Sequence, residues 1–141
     1  MADPVQFEFL IPSDTSRGSE VQEQILAVLE ERAFPSKDLF GVKLALEEAL
    51  VNAIKHGNGL DPSKSVTVRA EIDDVRVVIT VEDEGPGFDP SDVPDPTEDD
   101  NLDKPSGRGL MLMRAFMTNI EYNDKGNRVV LEKHRTSESD E

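Results

Sequence analysis

The chain has 141 residues, no cysteine and no tryptophan, and is 36% hydrophobic and 32% charged. That length suits one domain around one core, and the missing cysteine excludes disulfides, thiolate zinc sites and thiol nucleophiles. A net charge of −15 repels phosphate backbones and anionic lipid, so nucleic acid and membrane surfaces are poor partners. It also repels any nucleotide unless a cation such as Mg2+ and local amide donors offset the field.

No apolar run approaches the roughly 20 residues of a membrane span. The start, Met1-Ala2-Asp3-Pro4-Val5, lacks the basic end and apolar block of a signal peptide. The expectation is a cytoplasmic protein.

Residues 5–11 alternate and predict a strand that Pro12 ends. Ser13, Asp14, Thr15 and Ser16 are all N-cap candidates for a first helix over about 17–33. Its inner face carries Val21, Ile25, Val28 and Leu29, and its outer face is acidic. Phe34-Pro35 breaks it, and Ser36 is the expected N-cap of a second helix over about 37–56. Gly41 inside that helix costs up to ~1 kcal/mol relative to alanine, which suggests close packing. Leu39, Val42, Leu46, Ala49, Leu50, Ala53 and Ile54 form its apolar stripe. Glu48, Asn52 and His56, four apart, share one flank. An asparagine inside a helix beside the buried stripe is a mediocre choice on propensity alone. A solvated flank is the plain explanation; a carboxylate and an amide aimed at a ligand and its metal is the sharper one. Lys55 and His56 suit the helix end, and Gly57 is expected at the left-handed position past it.

Two strands follow. Val66, Val68, Ala70 and Ile72 share a face of the first. Val75, Val77, Ile79 and Val81 share a face of the second, and the same parity turns Asp83 toward the helices. A carboxylate at the core-side end of a strand is costly without a partner. Asp83-Glu84-Gly85-Pro86-Gly87 then opens a Gly-rich loop. Residues 89–103 hold seven acids, three prolines and no base; such a segment has little to bury, and residues 89–106 are expected to form a lid. Ser106-Gly107-Arg108-Gly109-Leu110 leads into a third helix ending near Met117. Residues 120–123 and 128–133 predict a closing hairpin. Residues 1–135 are expected to form one domain, with a disordered tail over 136–141.

Three pieces thus stand in order: Glu48 and Asn52 on a helix, Asp83-Glu84-Gly85-Pro86-Gly87 at a strand end, and Gly107-Arg108-Gly109-Leu110 before another helix. Gly-Arg-Gly at a helix start is a general anion site, and Asp-x-Gly-x-Gly is equally general alone. Their order and context resemble the Bergerat ATP-binding fold of gyrase, sensor histidine kinases and mismatch-repair ATPases. Within it, the chain looks like the bacterial anti-sigma-factor serine kinases. The P-loop pattern is absent.

The resemblance implies an α+β fold: a two-layer sandwich with a mixed, mostly antiparallel sheet and three main helices on one face. It implies a protein serine/threonine kinase that binds ATP and Mg2+, phosphorylates a serine of an anti-sigma factor antagonist, and sequesters a sigma factor, commonly as a homodimer. Asn52 would ligate Mg2+, and Glu48 would be the general base. Asp83 would accept the exocyclic amine of adenine. Gly85 and Gly87 would let the backbone approach the base, and Gly107, Gly109 and Leu110 would close on the phosphates. Arg108 would bind the phosphates and offset their charge during transfer, with Lys55 a weaker phosphate ligand. The alternatives are a non-catalytic, ATP-gated partner-binding module or a histidine-kinase-like ATPase domain. The second lacks room for a helical dimerisation domain bearing a phosphate-accepting histidine.

Overall fold

In the computed structural model, residues 4–85, 113–123 and 126–136 are described. The expectations for Gly87, Gly107, Arg108, Gly109, Leu110, the lid over 89–106 and residues 137–141 lie outside them.

Among the described residues, five strands make one sheet: β1 (Val5–Pro12), β2 (Ser65–Ile72), β3 (Arg76–Glu82), β4 (Asn119–Tyr122) and β5 (Arg128–His134), in the order β1-β2-β3-β5-β4. Every pairing among the described residues is antiparallel, in line with the mostly antiparallel sheet expected. Alternation sorts the strands into two faces. Val66, Val68, Ala70 and Ile72 of β2 and Val77, Ile79 and Val81 of β3 are buried, and Val129 and Leu131 of β5 join them. The opposite face carries charge pairs such as Glu8–Arg69 and Arg76–Glu132. Val75 departs from the predicted parity. It lies in the turn before β3 and is exposed, because the ladder begins only at Arg76.

Two helices, α1 (Thr15–Glu31) and α2 (Ser36–Val51), cover the apolar face. Asp14 caps α1, its Oδ1 accepting from the Ser16 amide at 2.8 Å, which satisfies one of the open donors of the first turn. Gly18, Val21, Ile25 and Leu29 are its buried residues. The chain leaves α1 through Ala33 at φ 59°. There the Arg135 guanidinium donates to the carbonyls of Arg32 and Ala33 and lies 5.0 Å over the Phe34 ring. The N-cap of α2 is Pro35, with no side-chain cap; Ser36 is already helical. Gly41 does pack closely: a methyl there would sit 3.2 Å from the Phe116 Cβ. Residues 113–116 are helical, and Met113 and Met117 are buried, as core filling predicts.

The second helix does not continue regularly to His56. From Asn52 to Gly57 it is π-helical. The Asn58 amide accordingly reaches back five residues, to the Ala53 carbonyl at 2.9 Å. A wider turn rotates each residue less about the axis. Glu48 and Asn52 keep their common flank at the junction, the Asn52 amide donating to the Glu48 carbonyl. Thr136, assigned to the tail, is instead held by Asp38 through its amide and hydroxyl.

Candidate functional site

A small cleft lies where the π-helical segment meets the open ends of β3 and β5. Its lining includes Asn52, Ala53, Asp83, Tyr122, Asn127 and Arg128. Its volume is about 20 Å³, room for roughly one water. A roomier concavity of about 500 Å³ lies on the uncovered sheet face beside Glu8, Arg69 and Thr80. We place the site at the smaller one, because unsatisfied and constrained polar groups converge there.

Asn52 and Asp83 line this common cleft from different elements. The side-chain amide nitrogen of Asn52 is buried without a hydrogen-bond partner among the described residues. A buried donor left unpaired costs on the order of 1–3 kcal/mol, so it signals either strain or a missing ligand. Glu48 stands one turn earlier and is half-buried. Its backbone carbonyl accepts from the Asn52 amide, which fixes the relative height of the two side chains.

Asp83 is 9% exposed. One carboxylate oxygen accepts from the Gly85 amide at 2.8 Å. The rest of the carboxylate lies over the Gly57 backbone so closely that a Cβ on Gly57 would overlap it. This is why position 57 must be glycine. It does not take the predicted left-handed conformation; Gly59, at φ 61°, does. A Cβ on Gly85 would likewise strike the Gly57 carbonyl oxygen. Gly85 thus serves a close crossing of two backbones.

Sequence reasoning missed four contributors. Asn58 is buried. Its side chain accepts from the Glu84 amide and donates to Ser13 Oγ and the Ser65 carbonyl. Asn127 braces Asp83 from the β5 side. Tyr122 and Arg128 complete the lining, and burial raises the Tyr122 phenol well above its ordinary range, with Arg114 opposing the shift. Asn-Gly punctuation around 57–59 and in the closing hairpin reads as turn chemistry, and nothing in one dimension marks it as a wall.

Lys55 is placed elsewhere. It is exposed and lines a groove between α1 and α2 with Thr15, Gly18, Gln22 and Glu47. It is not among the residues lining the Asn52–Asp83 cleft.

The described residues contain no group of three or more acidic or histidine side chains able to hold a metal. A hard cation here would need oxygens of a bound ligand beside the Asn52 amide oxygen, as is usual for Mg2+ with phosphates. No described helix is long and apolar enough to cross a membrane.

Comparison with known proteins agrees with this fold. The family of histidine kinase-like ATPase domains matches residues 11–133. An anti-sigma F factor of Clostridium perfringens is 31% identical over 94% of this chain and 97% of its own length. Another, from Geobacillus kaustophilus, is 38% identical over 69% of this chain and 70% of its own length. Among solved structures, the RsbU and RsbW domains of Rv1364c from Mycobacterium tuberculosis share the fold, with TM-score 0.64 and 18% identity over 93% of this chain. The chain spans 31% of that larger protein.

Proposed function

The chain belongs to the anti-sigma factor kinase family of histidine kinase-like ATPase domains, and from that membership we propose that it is a protein serine kinase using Mg-ATP. Its substrate is a serine of an anti-sigma factor antagonist, and the same protein sequesters a sigma factor, working as a homodimer. The observation that supports the proposal is the Asn52 side-chain nitrogen, buried without a partner among the described residues, in one small cleft with the constrained Asp83.

Asp83 accepts a hydrogen bond from the exocyclic amine of adenine, which selects that base. Asn52 faces the phosphate end, where its amide oxygen would hold Mg2+. The ion would offset the phosphate charge that a chain of net charge −15 otherwise repels. Glu48 orients the serine hydroxyl and takes its proton. The serine oxygen then forms a bond to the γ-phosphorus while the bond from that phosphorus to the β,γ-bridging oxygen breaks, and ADP leaves. One helical turn between Glu48 and Asn52 keeps the base near the γ-phosphate without making it a metal ligand. Gly85 and Gly87 let the backbone approach the base. Gly107, Arg108, Gly109 and Leu110 are the proposed phosphate-side partners, with Arg108 supplying positive charge, and residues 89–106 are the proposed lid. Lys55 has no part in this scheme. A purine exceeds the present cleft volume, so binding requires its walls to separate.

The test is incubation with Mg-ATP and the antagonist encoded nearby, read by mass spectrometry. The expected result is one phosphoserine. Glu48→Ala should lower transfer by roughly 10²–10⁴-fold while ATP affinity persists. An unmodified antagonist, with ATP bound normally, would sink the kinase assignment and leave a nucleotide-gated binding module.

A further inference from the structure

Asp83 lies one residue beyond the end of β3, yet it is held as firmly as a strand residue. The last ladder pair is Glu82 with Arg128. Beyond it, the Asp83 amide donates to the Asn127 carbonyl at 2.9 Å. The return bond comes from a side chain: Asn127 Nδ2 donates to the Asp83 carbonyl at 3.1 Å. Asn127 therefore extends the ladder by one residue at the point where the backbone alone would release it.

The orientation of that amide is itself set. Asn127 Oδ1 accepts from Asn123 Nδ2 at 2.8 Å. Asn123 Oδ1 accepts from the amides of Gly126 and Arg128. With its oxygen engaged by a donor, the Asn127 amide turns its NH2 toward Asp83. On the far side, Asn58, 2% exposed, receives the Glu84 amide at 2.8 Å. Two asparagines thus bracket the turn, and the Gly85 amide pins the carboxylate inside it.

The geometry points to Asn127 as a positioning residue that sets base specificity by holding the Asp83 carboxylate at the angle an exocyclic amine requires. The inference rests on the nucleotide assignment made above and deepens it. A carboxylate oxygen accepts best near its own plane and at hydrogen-bond distance, so a displaced Asp83 backbone moves the acceptor away from the amine and weakens an amine-bearing base more than one lacking the amine. Asn127 touches no reacting atom in this scheme; it acts through Asp83.

ADP and IDP, which differ at the 6-amino group, provide the test by calorimetric titration. The wild-type chain should prefer ADP by at least about tenfold, since a site built around a hydrogen bond rejects the analogue lacking it. Asn127→Ala should weaken ADP by about tenfold and IDP by less than about twofold, so the preference narrows. Asn127→Asp keeps the acceptor toward Asn123 and puts a carboxylate oxygen in place of the donor; its added charge bears on ADP and IDP alike, so the ADP-to-IDP ratio should narrow as it does for alanine, and this variant carries the test if Asn127→Ala does not fold. A merely structural role would weaken both nucleotides together, leaving their ratio unchanged. That outcome overturns the inference while the nucleotide assignment stands. A wild-type chain that binds neither nucleotide, or both equally, overturns the assignment of Asp83 and the inference with it.

Discussion

The two ends of the second helical unit handle buried polar groups in opposite ways. At its start Asp38 is 0% exposed. It accepts from the Thr136 amide at 2.8 Å and the Thr136 hydroxyl at 2.5 Å, and it lies 3.8 Å from Lys133 Nζ. At the other end, where the α-helix gives way to a π-helical segment, the Asn52 amide nitrogen is buried and unpartnered among the described residues. One end satisfies its buried group and ties the last strand to the helix. The other leaves a donor open and departs from regular geometry. An open donor among the described residues marks the second end as the place where the proposed ligand would supply a partner.

If that contrast holds, substitutions at the two ends separate stability from binding. The largest stability effect belongs to Asp38→Ala. It strands Lys133 and the Thr136 donors, and should cost about 3 kcal/mol in urea unfolding, with nucleotide affinity nearly unchanged. Gly57→Ala comes next. Its Cβ would meet the Asp83 carboxylate, so forced displacement should cost about 1–3 kcal/mol and remove nucleotide binding, both readable from melting curves with and without ADP. Asn52→Leu should act the other way on stability. Replacing an unpaired buried amide with an apolar group of similar size should be neutral or stabilising by up to about 1 kcal/mol, while binding is lost. A marked loss of stability in that variant would show that Asn52 is satisfied structurally, and the contrast between the ends would fail.

The smallest effect is a titration. Tyr122 is the only tyrosine in the chain, so tyrosinate absorbance reports it directly. Burial raises its pKa from 10.0 in the folded protein, against a smaller lowering by Arg114. The unfolded chain therefore releases this proton first as pH rises. The stability tied to the neutral phenol is complete below pH 10 and is lost above it. Native protein should ionise at higher pH than protein in urea, and coincident titrations would contradict the buried placement.

Much of the fold was legible in the sequence because period and parity are local properties. Val21, Ile25 and Leu29 mark α1, and the alternation in β2 and β3 carried Asp83 correctly to the core side. Features set by contacts distant in sequence were not legible. Ala53 and Ile54 fit an α-helical stripe as well as a π-helical one, so the widened turn left no trace. Gly57 read as a helix terminator, although its constraint comes from a carboxylate 26 positions later. Asn58 and Asn127 read as turn formers, because a one-dimensional pattern does not reveal which backbone groups an amide will satisfy. Ser36 lost its capping role to Pro35, and Val75 its core position to a ladder that starts one residue later. Asn52 stands out in the sequence for its poor helix propensity, and the structure adds a side-chain nitrogen buried without a partner among the described residues.

The most direct measurement is a calorimetric titration of ATP into the wild-type chain and Asn52→Ala, each with Mg2+ and with excess chelator. Wild-type protein should bind ATP with Mg2+ and at least about tenfold more weakly without it, and Asn52→Ala should bind weakly in both conditions. Equal, Mg2+-dependent binding by the two proteins would contradict the assignment of the open amide to a nucleotide site.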